Sequence, residues 1–387
     1  MDTREKMEKL EEEMNSKYIN RREEIRGLFV TMLARGNMVL LGQAGTAKTD
    51  MVQTLARAIQ SDCFETILTR TSSPEELFGA YDIRELEQGN YIRNTKNTLA
   101  TAQFGFIDEV FKCNSAVLNG LLGVMAQRTY RNGNSTPSPI PLQLLVGASN
   151  ELPEGGTDGE LAALWDRFEL RYVVDYIKDE KSFIKLLSIN GDLEPKTVIP
   201  IDEIIAAQSE VKEVEFSPIE QILVGIWKRM KEEGMSISDR KWRNSLKYLK
   251  ANAWLEGRNK LDEDDAEILK HMLWQNPEQI KKVRKIISEF ANPESAQAQE
   301  LSDAALEMMA VLGEYSDDEE ENRKNDRGTK AQKAIETHSR LTRIRKTLTG
   351  IKNTMAAKGK NTKAVEESIS KVNNMIVDVT KILTDGI

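Results

Sequence analysis

The sequence predicts an α/β core followed by helices alone, and two observations carry that prediction. Up to about residue 178, apolar runs of strand length alternate with amphipathic stretches of helix length, the pattern of a parallel sheet with helices on both faces. Beyond it the strand signal fades and a three-to-four-residue periodicity takes over. The strand candidates are 38–41, 63–68, 104–107, 143–148 and 170–176, with helices that include 48–60 and 115–127 between them. Ahead of the first strand, residues 1–35 read as helix, with Met7, Leu10, Met14, Ile25, Leu28, Val30 and Leu33 spaced by threes and fours until Gly36-Asn37 stops it. Helices at 179–190, 200–212, 216–234, 239–257 and 262–275 then predict a second, all-helical domain, with Pro277 and Pro293 marking its exit. Past 294 come a helix at about 297–315 and an acidic linker at 316–328 that is too polar to fold alone. Two long helices follow at about 330–357 and 362–384, broken at 358–361, each with one apolar stripe, as in helices packed side by side. The expected domains are 1–178, 179–276 and 277–387.

Composition narrows the function classes. A chain of 387 residues holds two or three domains, each with its own core. No apolar run approaches the ~20 residues needed to cross a bilayer, so no membrane span is expected. The N-terminal MDTREKMEKLEEEMNSK alternates charge where a secretory signal has an apolar core, and a cytoplasmic location is the expectation. Cys63 and Cys113 form no cluster with each other or with His271 and His338, which argues against a zinc or disulfide site. The net charge of −8 argues against a general electrostatic grip on nucleic acid. Proteins are the expected partners.

The motifs carry the chemistry. Gly42-Gln43-Ala44-Gly45-Thr46-Ala47-Lys48-Thr49 follows an apolar strand and opens a helix, the context of a P-loop. Such a loop wraps a β-phosphate in backbone N–H groups at a helix N-terminus, Lys reaches the β/γ oxygens, and the Thr hydroxyl binds Mg²⁺. The expected cofactors are ATP and Mg²⁺. Ala47 stands where a glycine usually precedes the lysine, so its backbone must avoid positive φ or accept strain. Phe104-Gly-Phe-Ile-Asp108-Glu109 ends an apolar strand in two carboxylates, a Walker B pattern. Asp108 suits the metal's water shell, and Glu109 suits the polarisation of an attacking water, which predicts hydrolysis. Asn150, at the end of the strand Leu144-Leu-Val-Gly-Ala-Ser149, is a candidate to orient that water or sense the γ-phosphate, although such an asparagine is also a common turn former. Trp165-Asp-Arg167-Phe168 precedes the last strand, and Arg167 or Arg171 suits the arginine-finger role on a neighbouring subunit's γ-phosphate. In Ser238-Asp-Arg240-Lys-Trp-Arg243, Ser238 or Asp239 caps a helix and Arg240 is placed to touch nucleotide from the second domain. The bland alternative for these arginines is a surface salt bridge.

Together these residues resemble the AAA+ superfamily, and within it the MoxR family and its RavA branch. The likeness spans residues 30 to 275 and rests on GQAGTAKT, SSPEELFG at 72–79, FGFIDEVFKCNSAVLNGLLGVMAQRTYRNG at 104–133, LVGASNELPEG at 145–155, LWDRFELR at 164–171 and SDRKW at 238–242. It implies an AAA+ core with a five-stranded parallel sheet, an all-helical lid, a triple-helix-like C-terminal bundle and a hexameric ring with ATP at each subunit boundary. It also implies roles for 81–97, similar to a helix-2 insert, and 128–141, similar to a pre-sensor-1 hairpin, which in related enzymes face the pore and touch substrate. A protein substrate and a partner with a von Willebrand factor A domain are expected by the same resemblance. The compact domain that interrupts the helical region of RavA-type proteins has no counterpart here beyond the linker at 316–328. Competing expectations are a nucleotide-gated scaffold with little turnover and a nucleic-acid motor, the latter opposed by the acidic charge.

Overall fold

The computed structural model describes residues 2–153, 159–189, 194–317, 326–357 and 362–385. The chain separates into two compact units, Met1–Arg284 and Lys285–Ile387. In the first, helices α1 (Thr3–Lys17) and α2 (Arg22–Leu33) lead into β1 (Asn37–Leu41), α3 (Lys48–Ala58) and β2 (Cys63–Ile67). Short helices α4 (Pro74–Phe78) and α5 (Ile83–Glu87) precede β3 (Phe104–Asp108) and α6 (Ser115–Gln127). A small hairpin, β4 (Thr129–Tyr130) and β5 (Ser138–Pro139), leads to β6 (Leu144–Ser149), α7 (Ala162–Arg167) and β7 (Leu170–Val173). Helices α8 (Glu180–Leu187), α9 (Ile201–Glu213), α10 (Glu220–Glu232) and α11 (Asp239–Leu255), a 3-10 helix Glu263–His271 and the start of α12 (Ile280–Ala291) complete it.

The expected parallel sheet is present, and the model supplies its order, β2-β3-β6-β1-β7. β1 and β6 are buried at every position, which is why they read as unbroken apolar runs with no alternation. β2, at the edge, leaves Ile67 60% exposed. β1 lies between β6 and β7, so whatever leaves its two ends is fixed by neighbours on both sides.

Three expectations on helices are corrected. Residues 1–35 form two helices, broken at Tyr18–Arg21, where Asn20 adopts a left-handed φ of 58°. Asparagine tolerates that conformation, and the apolar spacing runs across the break because both helices bury a stripe in the same unit. The expected helix at 262–275 is a 3-10 helix, its start fixed by Asp265, a fully buried carboxylate that accepts from Arg258 at 2.5 and 2.8 Å, from Asn252 at 2.9 Å and from the Asp262 backbone N–H at 2.9 Å. Between Pro277 and Pro293, where the sequence suggested only an exit, lies α12, with Pro293 as the first residue of the next helix.

The second unit holds α13 (Pro293–Asp317), α14 (Asp326–Ala357) and α15 (Lys363–Asp385). Leu341, Leu348, Met355, Val365, Val372 and Val379 form its core, one stripe per long helix. Most of the linker placed at 316–328, namely 318–325, and the break placed at 358–361 lie outside the described residues.

The segments at 81–97 and 128–141 are joined to each other. Tyr81 bridges Arg93, the Arg93 N–H donates to Asn132 Oδ1 at 2.8 Å, and Asn132 Nδ2 donates back to the Arg93 carbonyl at 2.9 Å. Gly133 sits at φ 59° against this seam, where a Cβ would lie 1.9 Å from the Tyr91 carbonyl oxygen. Arg93 also stacks on Tyr81 at 4.0 Å and pairs with Glu75 at 2.9 Å. No helix among the described residues is long and apolar enough to cross a membrane.

Candidate functional site

The loop that leaves β1 is held from two sides. The Gly42 N–H donates to the Ser149 carbonyl of β6 at 2.9 Å, and a Cβ at Gly42 would lie 2.1 Å from the Val174 carbonyl oxygen just past β7. Only glycine fits there. Thr46 Oγ1 closes the loop onto the Gln43 carbonyl at 2.9 Å. Ala47 takes the strained option left open by the sequence, with φ 64° and ψ 22°, as the N-cap of α3. Lys48 Nζ donates to the carbonyls of Gly42 at 2.6 Å and Gln43 at 2.9 Å, so its ammonium lies under the loop rather than in solvent. Burial lowers its pKa, opposed by the nearby Asp108 and Glu109. Gly45, at φ 80°, has open space above it.

β3 delivers the two carboxylates. Asp108 ends the strand and its Oδ1 accepts the Glu109 N–H at 2.9 Å, which holds Glu109 in a left-handed φ of 51°. Glu109 Oε1 accepts from Asn150 Nδ2 at 3.0 Å, and Oε2 faces the Lys112 ammonium at 3.2 Å. Asn150 therefore orients Glu109 across the gap from β6 to β3. The residues fit a phosphate with a divalent metal: Thr49 in the first turn of α3 and Asp108 at the end of β3 are the oxygen donors available. Among the described residues no three His, Cys, Asp or Glu side chains converge, so such a metal would be shared with phosphate oxygens.

Several residues that support the loop carry no motif. Arg21, in the break between α1 and α2, donates to the carbonyls of Thr46 at 3.4 Å, Asn20 at 3.0 Å and Asp175 at 2.6 Å. Tyr176 donates to the Ala44 carbonyl at 2.9 Å, and Tyr18 donates to Asp50 of α3 at 2.7 Å. Arg21 reaches carbonyls 25 and 154 residues away, and Tyr176 one 132 residues away, which is why local reading misses them. The only sequence signal is the Tyr18-Ile-Asn20-Arg21 interruption itself.

The two arginines of LWDRFELR separate cleanly. Arg171, in β7, is 0% exposed, and its guanidinium donates to the carbonyls of Phe168 at 3.0 Å, Trp165 at 2.9 Å and Trp274, and to Gln275 Oε1 at 3.1 Å. It also stacks on the Trp165 ring at 4.1 Å, and burial lowers its pKa to about 9. It is a structural tie and has no freedom to reach another chain. Arg167 ends α7 and donates back to the Ala163 carbonyl at 2.9 Å. Its own carbonyl accepts from Asn37 Nδ2 at 3.0 Å. Asn37 opens β1 whereas Gly42 follows its end, so five residues of strand, about 17 Å at ~3.3 Å per residue, separate Arg167 from its own phosphate loop. Arg240 sits with Arg167: capped by Ser238, whose Oγ accepts the Lys241 N–H at 3.2 Å, it pairs with Asp166. Arg240, the residue expected to touch nucleotide from the second domain, is held by Asp166 at this end of the sheet.

Three substitutions test this geometry. Ala47→Gly relieves the left-handed strain, and urea unfolding is expected to show a gain of up to about 1 kcal/mol after the larger unfolded-state entropy of glycine is set against it; a clear loss would mean the methyl group packs usefully. Arg171→Met takes the donor from the backbone carbonyls of Phe168, Trp165 and Trp274 and is expected to cost about 3–5 kcal/mol, whereas Arg167→Ala is expected to stay within about 1 kcal/mol of the parent. Equal losses from both would contradict the division of roles.

Comparison with known proteins agrees with this arrangement. A family model described as the MoxR domain in the MoxR-vWA-beta-propeller ternary systems matches residues 5–216, and an AAA lid domain model matches 218–287. The chain is 35% identical over 371 residues to the uncharacterized protein MJ0812 of Methanocaldococcus jannaschii, covering 95% of this chain and 96% of that one. It is 39% identical over 288 residues to MJ0079 of the same organism, covering 74% and 75% of the two chains. Chaperone MoxR1 of Mycobacterium tuberculosis is 29% identical over 155 residues, 40% of each chain. A crystal structure of a candidate ATPase from Cytophaga hutchinsonii superposes with a TM-score of 0.58 at 22% identity, covering 74% of this chain and 93% of that one, and shares the fold. A phosphate loop on β1, paired carboxylates on β3 and a helical lid, matched by models for both parts, identify the chain as a member of the MoxR family of AAA+ ATPases.

Proposed function

We propose that this chain is a Mg²⁺-dependent ATPase that works as a ring, remodelling or loading a protein partner with the energy of hydrolysis. The observation that carries this reading is the separation along β1. The phosphate loop lies past one end and Arg167 with Arg240 at the other. One chain thus holds a phosphate cradle without the cations that neutralise the γ-phosphate, and a head-to-tail neighbour supplies them. Such heterologous contacts close into rings, and the family likeness argues for six subunits.

Within one site the residues divide the work. The Lys48 ammonium exchanges the carbonyls of Gly42 and Gln43 for β/γ oxygens, and backbone N–H groups of the loop orient the phosphates. Thr49 and Asp108 would hold Mg²⁺, which neutralises charge on the phosphates. Glu109 accepts a proton from the attacking water, with its carboxylate aimed by Asn150. Arg167 and Arg240 of the next subunit meet the developing negative charge, where a planar, permanently charged group is most effective.

The partner is proposed to carry a von Willebrand factor A domain, in keeping with the systems named by the matched family model, and the chaperone relative favours a protein substrate. The RavA-like motifs support a place near that branch, and the absence of a membrane-crossing helix among the described residues accords with a cytoplasmic role. The segments at 81–97 and 128–141, locked by Arg93 and Asn132, are proposed to touch substrate as one body. Glu109→Gln is expected to keep ATP binding while steady-state turnover falls by about 10²–10³. Negligible turnover in both the parent and the variant would instead favour a nucleotide-gated scaffold.

A further inference from the structure

Asp166 faces two cations and holds one. Its Oδ2 pairs with Arg240, whose side chain is half exposed, while its Oδ1 lies 3.9 Å from Lys241 Nζ, too far for a hydrogen bond. Lys241 is 2% exposed, and its Nζ has no hydrogen-bond partner among the described residues. A buried ammonium without an acceptor is costly. The other nearby carboxylate, Glu169, is already engaged by Asn244 at 3.1 Å and by the Tyr248 hydroxyl at 3.0 Å. Arg171 stands close by, but its donors are spent on Phe168, Trp165, Trp274 and Gln275. Among the described residues Asp166 is the carboxylate within 4 Å of Lys241, and Arg240 occupies it.

We propose that Asp166 is a two-position latch, holding Arg240 until a neighbouring subunit's γ-phosphate draws it away and then accepting the Lys241 ammonium in its place. The inference rests on the reading that Arg240 serves the neighbour's nucleotide. The exchange needs little motion. Closing 3.9 Å to an ordinary charge-assisted hydrogen bond is a shift of about 1 Å, and Ser238 pins the Lys241 backbone, so only the side chain moves. Without Lys241, departure of Arg240 would leave a carboxylate of 22% exposure with no direct partner, and that cost would hold Arg240 back. Burial keeps the Lys241 ammonium well below the usual lysine range, with Arg171 and Arg240 adding repulsion. Moving Arg240 outward removes one of those like charges at the moment Lys241 gains its acceptor. Lys241 is in this sense a positioning residue, acting on the phosphate through Asp166 and Arg240.

The test is steady-state ATPase of the full chain at a concentration where it is assembled, with thermal unfolding to verify each fold. Lys241→Met, which keeps length and removes charge, is expected to lower kcat about tenfold at unchanged KM for ATP, with a thermal midpoint at or above the parent's. Adding Asp166→Asn removes the carboxylate that would be stranded, and the double variant is expected to recover to within about threefold of Asp166→Asn alone. A parental kcat in Lys241→Met overturns the latch, and so does a loss that Asp166→Asn fails to relieve, since that is the behaviour of a packing residue. Arg240→Gln separates the two levels: parental turnover in that variant overturns the reading of Arg240 and the latch with it, whereas impaired Arg240→Gln beside parental Lys241→Met overturns the latch alone.

Discussion

The molecule is organised by the burial of β1 between β6 and β7. A five-residue strand hydrogen-bonded on both sides fixes what leaves it at each end. At the far end, Gly42 is clamped between the Ser149 carbonyl and the Val174 carbonyl, so the loop after it has one path. At the near end, the Asn37 amide spans the carbonyls of Met125 and Arg167, tying the ends of α6 and α7 to the base of the sheet. The phosphate cradle and the cations on α7 and α11 are consequently held apart by a strand hydrogen-bonded on both sides. On the proposed reading, this separation leaves the site of a single chain to be completed by its neighbour.

Around this spine the electrostatics divide into tied and free groups. Arg171 and Arg128 are buried cations, both lowered by burial, and they serve the interior: Arg128 donates to the Gly36 carbonyl at 2.5 Å and Arg171 ties β7 to Trp274. Arg240 keeps a half-exposed guanidinium paired with Asp166, and the partly buried Arg167 donates to the Ala163 carbonyl while its Nε has no partner among the described residues. Arg171 is held by several acceptors at once, whereas Arg128 leaves its Nε and Nη1 without partners among the described residues. Glu109 lies between these cases, aimed by one amide and one ammonium while its backbone is kept in a left-handed conformation. His271 belongs with the tied groups, stacked on Tyr172 at 4.3 Å and lowered to about 3 by burial.

How much of this was legible in the sequence depended on how local each feature is. The loop from Gly42 to Thr49 and the Asp108-Glu109 pair were readable because their chemistry lies in consecutive residues at strand ends. The parallel sheet was readable from apolar runs, but its order was not, since burial on both faces erases the alternation that would mark neighbours. The same erasure hid the difference between Arg167 and Arg171. β7 is buried on three of its four positions, so period two says nothing about Arg171, and the groups that bind it, Trp274 and Gln275, are about a hundred residues away. The break at Tyr18–Arg21 stayed hidden because the apolar stripe continues through it, although Arg21 there reaches the loop.

The central claim is that each nucleotide site needs two chains, and dilution tests it most directly. ATPase activity per chain, measured across protein concentration alongside light scattering, is expected to rise with assembly and to vanish where the scattering mass is that of one chain, because the proposed work of Arg167 and Arg240 is done on a neighbour's phosphate loop. Constant activity per chain down to the single-chain regime would contradict the account.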